Sequence, residues 1–180
     1  QVGEQAILDE YAASQKTAVT APTASRQIVW PYESFGTPGK VVETKDVTDL
    51  DTVFVRFENG VRLTIKPTKF RDDEVLVRVN IGDGLEVMPK DRQSLAWFGN
   101  AFIEGGLKQI TNEETEQVLA SKVYGARFGI GDAFVLSGGT RTDDLPTEMQ
   151  VLAAYVAEPG WRTEAFERQK GAGRTIHDQA

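Results

Sequence analysis

The stretch VFVRFENGVRLTIK, Val53 to Lys66, constrains the fold of this chain more than any other. Val53, Val55 and Phe57 alternate with Phe54 and Arg56; Val61, Leu63 and Ile65 alternate with Arg62, Thr64 and Lys66. A period of two puts each apolar set on one side of a strand. Asn59-Gly60 lies between the runs, where a turn needs a residue tolerant of positive φ. The stretch predicts a β-hairpin, so the fold must contain an antiparallel sheet.

The remaining pattern places helices beside that sheet. Val75 to Gly82 (VLVRVNIG) alternates again and predicts a further strand. Ile28 to Tyr32 (IVWPY) reads as a short edge strand, because Pro31 has no N–H to give a ladder. Leu95, Phe98 and Phe102 recur at the spacing of one helix face, after Asp91 or Ser94 as a cap, and Gly105-Gly106 ends that run. Thr111 followed by Glu114 is a capping-box pattern, opening a helix over Asn112 to Ser121. VYGARFGIGDAFVLSGGT predicts two strands around Gly129 to Asp132. Asp144-Leu145-Pro146 opens a helix with an apolar stripe of Leu145, Met149, Leu152 and Val156, stopped at Pro159-Gly160. Thr163 caps a last helix, EAFERQKG. The expected fold class is α+β, an antiparallel-rich sheet with helices packed on one face. Residues 1–27 read as an interdomain linker with a helix end (Ile7, Leu8, Tyr11) and a Pro/Ser/Thr stretch from Thr20 to Ser25. Residues 28–180 read as the domain, incomplete at its C-terminus, and both ends look cut from a longer chain.

Composition narrows the chemistry. The chain has one histidine, His177, and no cysteine, which removes most zinc and Cys- or Ser-His chemistry from this polypeptide. A net charge of −7 argues against a nucleic-acid partner, since phosphate backbones need clustered Lys and Arg. No apolar run approaches the length of a membrane span.

Five groups are candidates for chemistry, and each has a plainer reading. Asp72-Asp73-Glu74 could bind a cation, but carboxylates crowded in sequence read better as a solvated turn. Gly82-Asp83-Gly84 follows a strand as phosphate loops do, yet lacks their spacing and reads as a tight turn. Glu113, Glu114 and Glu116 are explained by the positive end of a helix dipole. His177-Asp178 could form an acid–base pair but reads as a solvent-facing tail. Gly138-Gly139 could mark close approach by a peptide backbone, or simply a flexible strand end.

Taken in order, FENGVRLTIKPTKFRDDEVLVRVNIGDGL, SLAWFGNAFIEGGLKQIT, FGIGDAFVLSGGTRTDDLPTEMQVLAAYVAEPGW and FERQKG resemble one half of the insulinase/pitrilysin family of zinc metallopeptidases. The likeness covers residues 28–176, and its specificity lies in the ordered set rather than in any one motif. A catalytic half of that family carries H-x-x-E-H on its first long helix: two zinc ligands and a general base. Here Trp97 stands at the first His position, Asn100 at the Glu position and Ala101 at the second His position. In the later helix, FERQKGAGRTI, no carboxylate follows Glu167 until Asp178. Trp and Ala offer zinc no ligand, and Asn takes no proton at neutral pH.

The resemblance therefore implies a non-catalytic half, of the type with the processing-peptidase-like fold. No cofactor belongs to this fragment, and zinc belongs to the catalytic half of the parent protein. The implied partners are that catalytic half, in the same chain or in a partner subunit, and a peptide substrate, with no nucleic acid and no membrane. The implied substrate-binding residues are Phe134, Val135, Leu136, Ser137, Gly138, Gly139 and Thr140, holding extended peptide by strand addition. Trp97 and Asn100 are expected to fill the vacated ligand site. A periplasmic location follows from the resemblance alone. The rival readings are a structural or assembly subunit of a processing-peptidase-like complex and an unrelated α+β ligand-binding domain. An H-x-x-E-H upstream of Gln1 would separate the first two.

Overall fold

The computed structural model describes residues 2–16 and 28–179. The linker stretch Thr20 to Ser25 lies outside the described residues, and residues 2–14 form a helix, α1 (Val2–Ser14). The remainder is α+β, with two separate three-stranded antiparallel sheets.

The first sheet is the hairpin with one added strand. β1 (Val41–Val47) pairs with β2 (Thr52–Phe57), which pairs with β3 (Arg62–Ile65). The β2–β3 turn spans Glu58 to Gly60. Gly60 adopts a φ of 87°, and the Phe57 N–H donates to the Val61 carbonyl at 2.9 Å. Asn59 Oδ1 accepts from the Val61 N–H at 3.2 Å, so the Asn braces the turn while the Gly supplies the left-handed residue.

The second sheet has the order β4-β6-β5: β4 (Val75–Ile81), β6 (Phe134–Thr140) and β5 (Arg127–Ile130). Helices pack on this sheet. α2 (Gly99–Glu104) lies on β5, and α4 (Leu145–Ala157) lies on β6. The core is Trp30, Tyr32, Leu107, Ile110, Leu119, Leu136, Val151, Leu152, Ala154 and Tyr155, all buried.

Several local expectations change. Ile28 to Tyr32 forms no strand. Trp30 and Tyr32 are instead buried as side-chain anchors: the Trp30 Nε1–H donates to Gln150 Oε1 at 3.0 Å, and the Gln109 N–H donates to Tyr32 Oη at 3.0 Å. The helix after Pro89 is a 3₁₀ helix over Lys90–Phe98 that becomes α-helical only at Gly99. A Cβ at Gly99 would sit 3.3 Å from the Phe128 carbonyl oxygen, so a glycine lets α2 begin close against β5. On α4 the buried stripe is rotated. Met149 and Val156 are exposed, whereas Glu148, Val151, Leu152 and Tyr155, with Asp144 just before the helix, face inward.

α3 (Asn112–Val118) carries the expected capping box. Thr111 Oγ1 accepts from the Glu114 N–H at 3.1 Å, and the Glu114 carboxylate accepts from the Thr111 N–H at 2.7 Å. Thr111→Ala should lower stability by about 1 kcal/mol, read as a shifted urea midpoint; no shift would show that Glu114 alone holds this end. α5 (Thr163–Gln179) runs well past the expected EAFERQKG and packs on α2. The Phe98 and Phe166 rings lie 5.5 Å apart, and the Gln169 side chain donates to Glu104.

Candidate functional site

The segment on which the resemblance would place zinc ligands is split between the 3₁₀ helix that holds Trp97 and the six-residue α2, which packs against α5. Its donors do not fit zinc. Asn100 is exposed and Ala101 part-buried, both on α2; Trp97 lies in the preceding 3₁₀ turn. Asn100 therefore does not fill a vacated pocket, because it faces solvent, and the Trp97 side chain lies outside the described residues. Among the described residues no group of three or more His, Cys, Asp or Glu is placed to hold a metal ion. His177 is exposed in the last turn of α5.

β6, the expected substrate strand, is the middle strand of its sheet. It pairs with β4 over its whole length and with β5 from Phe134 to Ser137. Strand addition to β6 itself has no free ladder there; an added strand would meet β4 or β5, the outer strands. The period of two divides the seven residues. Phe134, Leu136, Gly138 and Thr140 face the helical side: Leu136 and Thr140 are buried, and Gly138 lies against Glu148 of α4. Val135, Ser137 and Gly139 face the opposite, open side. Ser137 pairs in register with Arg78 of β4 and with Arg127 of β5, so one cross-strand row on that side reads Arg78–Ser137–Arg127.

Two buried carboxylates hold this sheet in place. Asp144 accepts from the Val123 N–H at 2.9 Å and pairs with Lys122 at 3.0 Å and Arg141 at 2.5 Å. The Val123 N–H, then Lys122 and Arg141, draw its pKa down to about 2. Glu148 Oε2 accepts from the Gly125 N–H at 2.8 Å, while Oε1 has no hydrogen-bond partner. Burial pushes the Glu148 carboxyl above the usual carboxylate range, partly opposed by the Gly125 N–H. Thr140 Oγ1 donates to the Val123 carbonyl at 2.6 Å. Together these bonds fasten Lys122–Gly125, the segment entering β5, to α4 and β6. The sequence reading gave Asp144 only as the opening of a helix, whereas its side chain caps nothing there and turns to Val123, and it missed Glu148 because it sought an apolar stripe; their i, i+4 spacing in register with Val151, Leu152 and Tyr155 was the available signal.

The other acidic and glycine candidates take their plainer readings. Asp73 sits at a φ of 52° and accepts from the Thr142 N–H at 2.9 Å, while Glu74 pairs with Arg71. Gly82 and Gly84 adopt φ values of 58° and 52°, and a Cβ at Gly84 would lie 2.0 Å from the Gly131 carbonyl oxygen. Glu114 belongs to the capping box, and Glu116 accepts from the Asn112 side chain at 3.0 Å.

No family model matches this sequence, and no curated protein matches it. Solved structures do. The periplasmic protease PqqL from Escherichia coli superposes with a TM-score of 0.65 at 14% identity, over 86% of this chain and 17% of that one. The ferredoxin protease FusC, a mutant solved in complex with Arabidopsis ferredoxin, gives 0.65 at 15% identity, over 96% of this chain and 21% of that one. The fold is thus shared with part of two proteases. The chain spans about a fifth of each relative's length.

Proposed function

We propose that this chain is a non-catalytic domain of a larger zinc metalloendopeptidase of the insulinase/pitrilysin type, forming one wall of a peptide-binding chamber. The observation that carries the reading is the segment running into α2. The resemblance puts the two histidine positions at Trp97 and Ala101, which offer zinc no ligand, and the base at Asn100, which takes no proton at neutral pH. The partner is a catalytic half that carries the zinc, in the same polypeptide or a separate subunit, and the ligand is extended peptide. A periplasmic location accords with the description of one structural relative. No helix among the described residues is long and apolar enough to cross a membrane.

The decisive measurement is metal content and peptidase activity of the purified chain, alone and combined with the upstream part of its parent protein. Alone, it should hold no stoichiometric zinc and cleave nothing; with that part, cleavage should appear and depend on both pieces. One zinc per chain, lost on His177→Ala, would sink the reading. A parent without H-x-x-E-H and without activity would favour an assembly subunit instead.

A further inference from the structure

We propose that the open face of the second sheet binds the carboxylate side chains of an acidic, extended peptide through Arg78 and Arg127, with Ser137 between them. The choice of a peptide as occupant rests on the function proposed above; the choice of carboxylates rests on this face alone.

The row is fixed by register. Arg78 and Arg127 both stand opposite Ser137, so all three side chains leave the sheet on one side. Adjacent strands lie about 4.8 Å apart, which puts the two arginine Cα atoms roughly 10 Å apart across the face. Both arginines are exposed. The Arg78 Nε–H donates to Asn80 Oδ1 at 3.0 Å, which steadies that guanidinium.

Charge decides the occupant. Arg56, Arg71, Arg141 and Arg168 each pair with a carboxylate. Arg78 and Arg127, like Arg62, Arg92 and Arg174, form no ion pair among the described residues, and these two share one cross-strand row, in a chain carrying seven more acidic than basic side chains. Two unpaired cations therefore flank a neutral hydroxyl on a protein that is otherwise an excess anion. The planar guanidinium fork matches a carboxylate with two parallel hydrogen bonds.

Shape favours an extended chain. Around Ser137 on this side, Gly139 and Gly129 leave the backbone accessible, while Leu76, Val135 and Asn80 form the rest of the face and Leu76 offers an apolar rest for the peptide. A Cβ at Gly129 would meet nothing within 4 Å. In an extended peptide, side chains two residues apart point the same way at about 6.7 Å separation. Two long arginine side chains rooted roughly 10 Å apart can converge on such a pair. The ligand is accordingly an extended segment with acidic residues at alternate positions.

The test is fluorescence-anisotropy binding of the whole chain to a fluorescein-labelled peptide of alternating Glu and Ala, beside matched Gln–Ala and Lys–Ala peptides. The Glu peptide should bind at least about tenfold tighter than the Gln peptide, with the difference shrinking as salt rises. Arg78→Gln and Arg127→Gln should each weaken Glu-peptide binding by about tenfold and leave Gln-peptide binding unchanged. Arg174→Gln, on α5, should change neither. Unaltered circular dichroism would show that the variants fold. Equal binding of Glu and Gln peptides overturns the carboxylate assignment and leaves the peptide-wall function standing. Failure to bind any peptide overturns both. Equal displacement of the Glu peptide by single-stranded DNA also overturns the assignment, since the face would then be a general anion surface.

Discussion

Alanine in place of Gly138 is expected to destabilise the fold by about 3 kcal/mol, read as a lower urea midpoint at unchanged slope. The added Cβ would lie 2.0 Å from Glu148 Oε1 and 2.1 Å from the Gly125 carbonyl oxygen. One neighbour is backbone, and the other is a buried carboxylate tied to the Gly125 N–H. Nor can β6 step aside, because it is the middle strand and both neighbours hold its register. Gly139→Ala is the matched control. Its Cβ would meet only the Leu76 side chain, at 3.4 Å, so the midpoint should hardly move. Equal losses at the two positions would mean that this end of β6 rejects any side chain, rather than that the Glu148 and Gly125 contacts set the need for glycine at Gly138.

Glu148→Ala should cost a similar amount, about 3 kcal/mol, because it leaves the Gly125 N–H without its acceptor and opens a cavity in the core. Glu148→Gln keeps the shape and the acceptor, so it should retain most of the stability while removing the titration. The sign follows from the raised native pKa. The native fold favours the protonated form, so this group's contribution is fully present below its unfolded pKa and is lost as pH rises through the native one. Glu148 Oε1 and the Gly125 carbonyl oxygen crowd the same space beside Gly138, an arrangement that a proton on Oε1 eases. The stability of the natural chain relative to Glu148→Gln should therefore decline as pH rises above the ordinary carboxylate range. A flat difference would show that burial leaves Glu148 unperturbed. Asp144 behaves in the opposite sense and in a separate window. Its depressed pKa gives a contribution present above the ordinary carboxylate range and lost as pH falls through about 2.

Local rules read well in the sequence where the interaction is itself local. The Asn59-Gly60 turn, the Thr111–Glu114 capping box and the strand through Val75 needed only neighbouring residues, and all three stand. The α+β class followed from the same signals. What escaped depends on residues far apart. Ile28 to Tyr32 looks like a strand because Trp30 and Tyr32 alternate inward, but their partners are Gln150 and Gln109 rather than a neighbouring strand. Strand order was likewise hidden: nothing in Phe134 to Thr140 says that it lies between β4 and β5. That order alone decides which of its side chains can meet a ligand. The buried roles of Asp144 and Glu148 escape the sequence because polar residues in a core stripe make sense only once their loop partners, Val123 and Gly125, are known. The positions Trp97, Asn100 and Ala101 were read from an ordered resemblance, which no single-residue rule could have supplied.

The strand order also sets how the chain can assemble. β1, β2 and β3 are consecutive, so the first sheet closes through short connections and little chain entropy is lost before its ladders form. The second sheet joins β4 to β6 across everything from 82 to 133, and α2, α3 and β5 all lie inside that loop. The strand carrying Ser137 can be secured only once that intervening chain has been gathered in. The hairpin is thus expected to form early, and the face bearing Arg78 and Arg127 to be completed late.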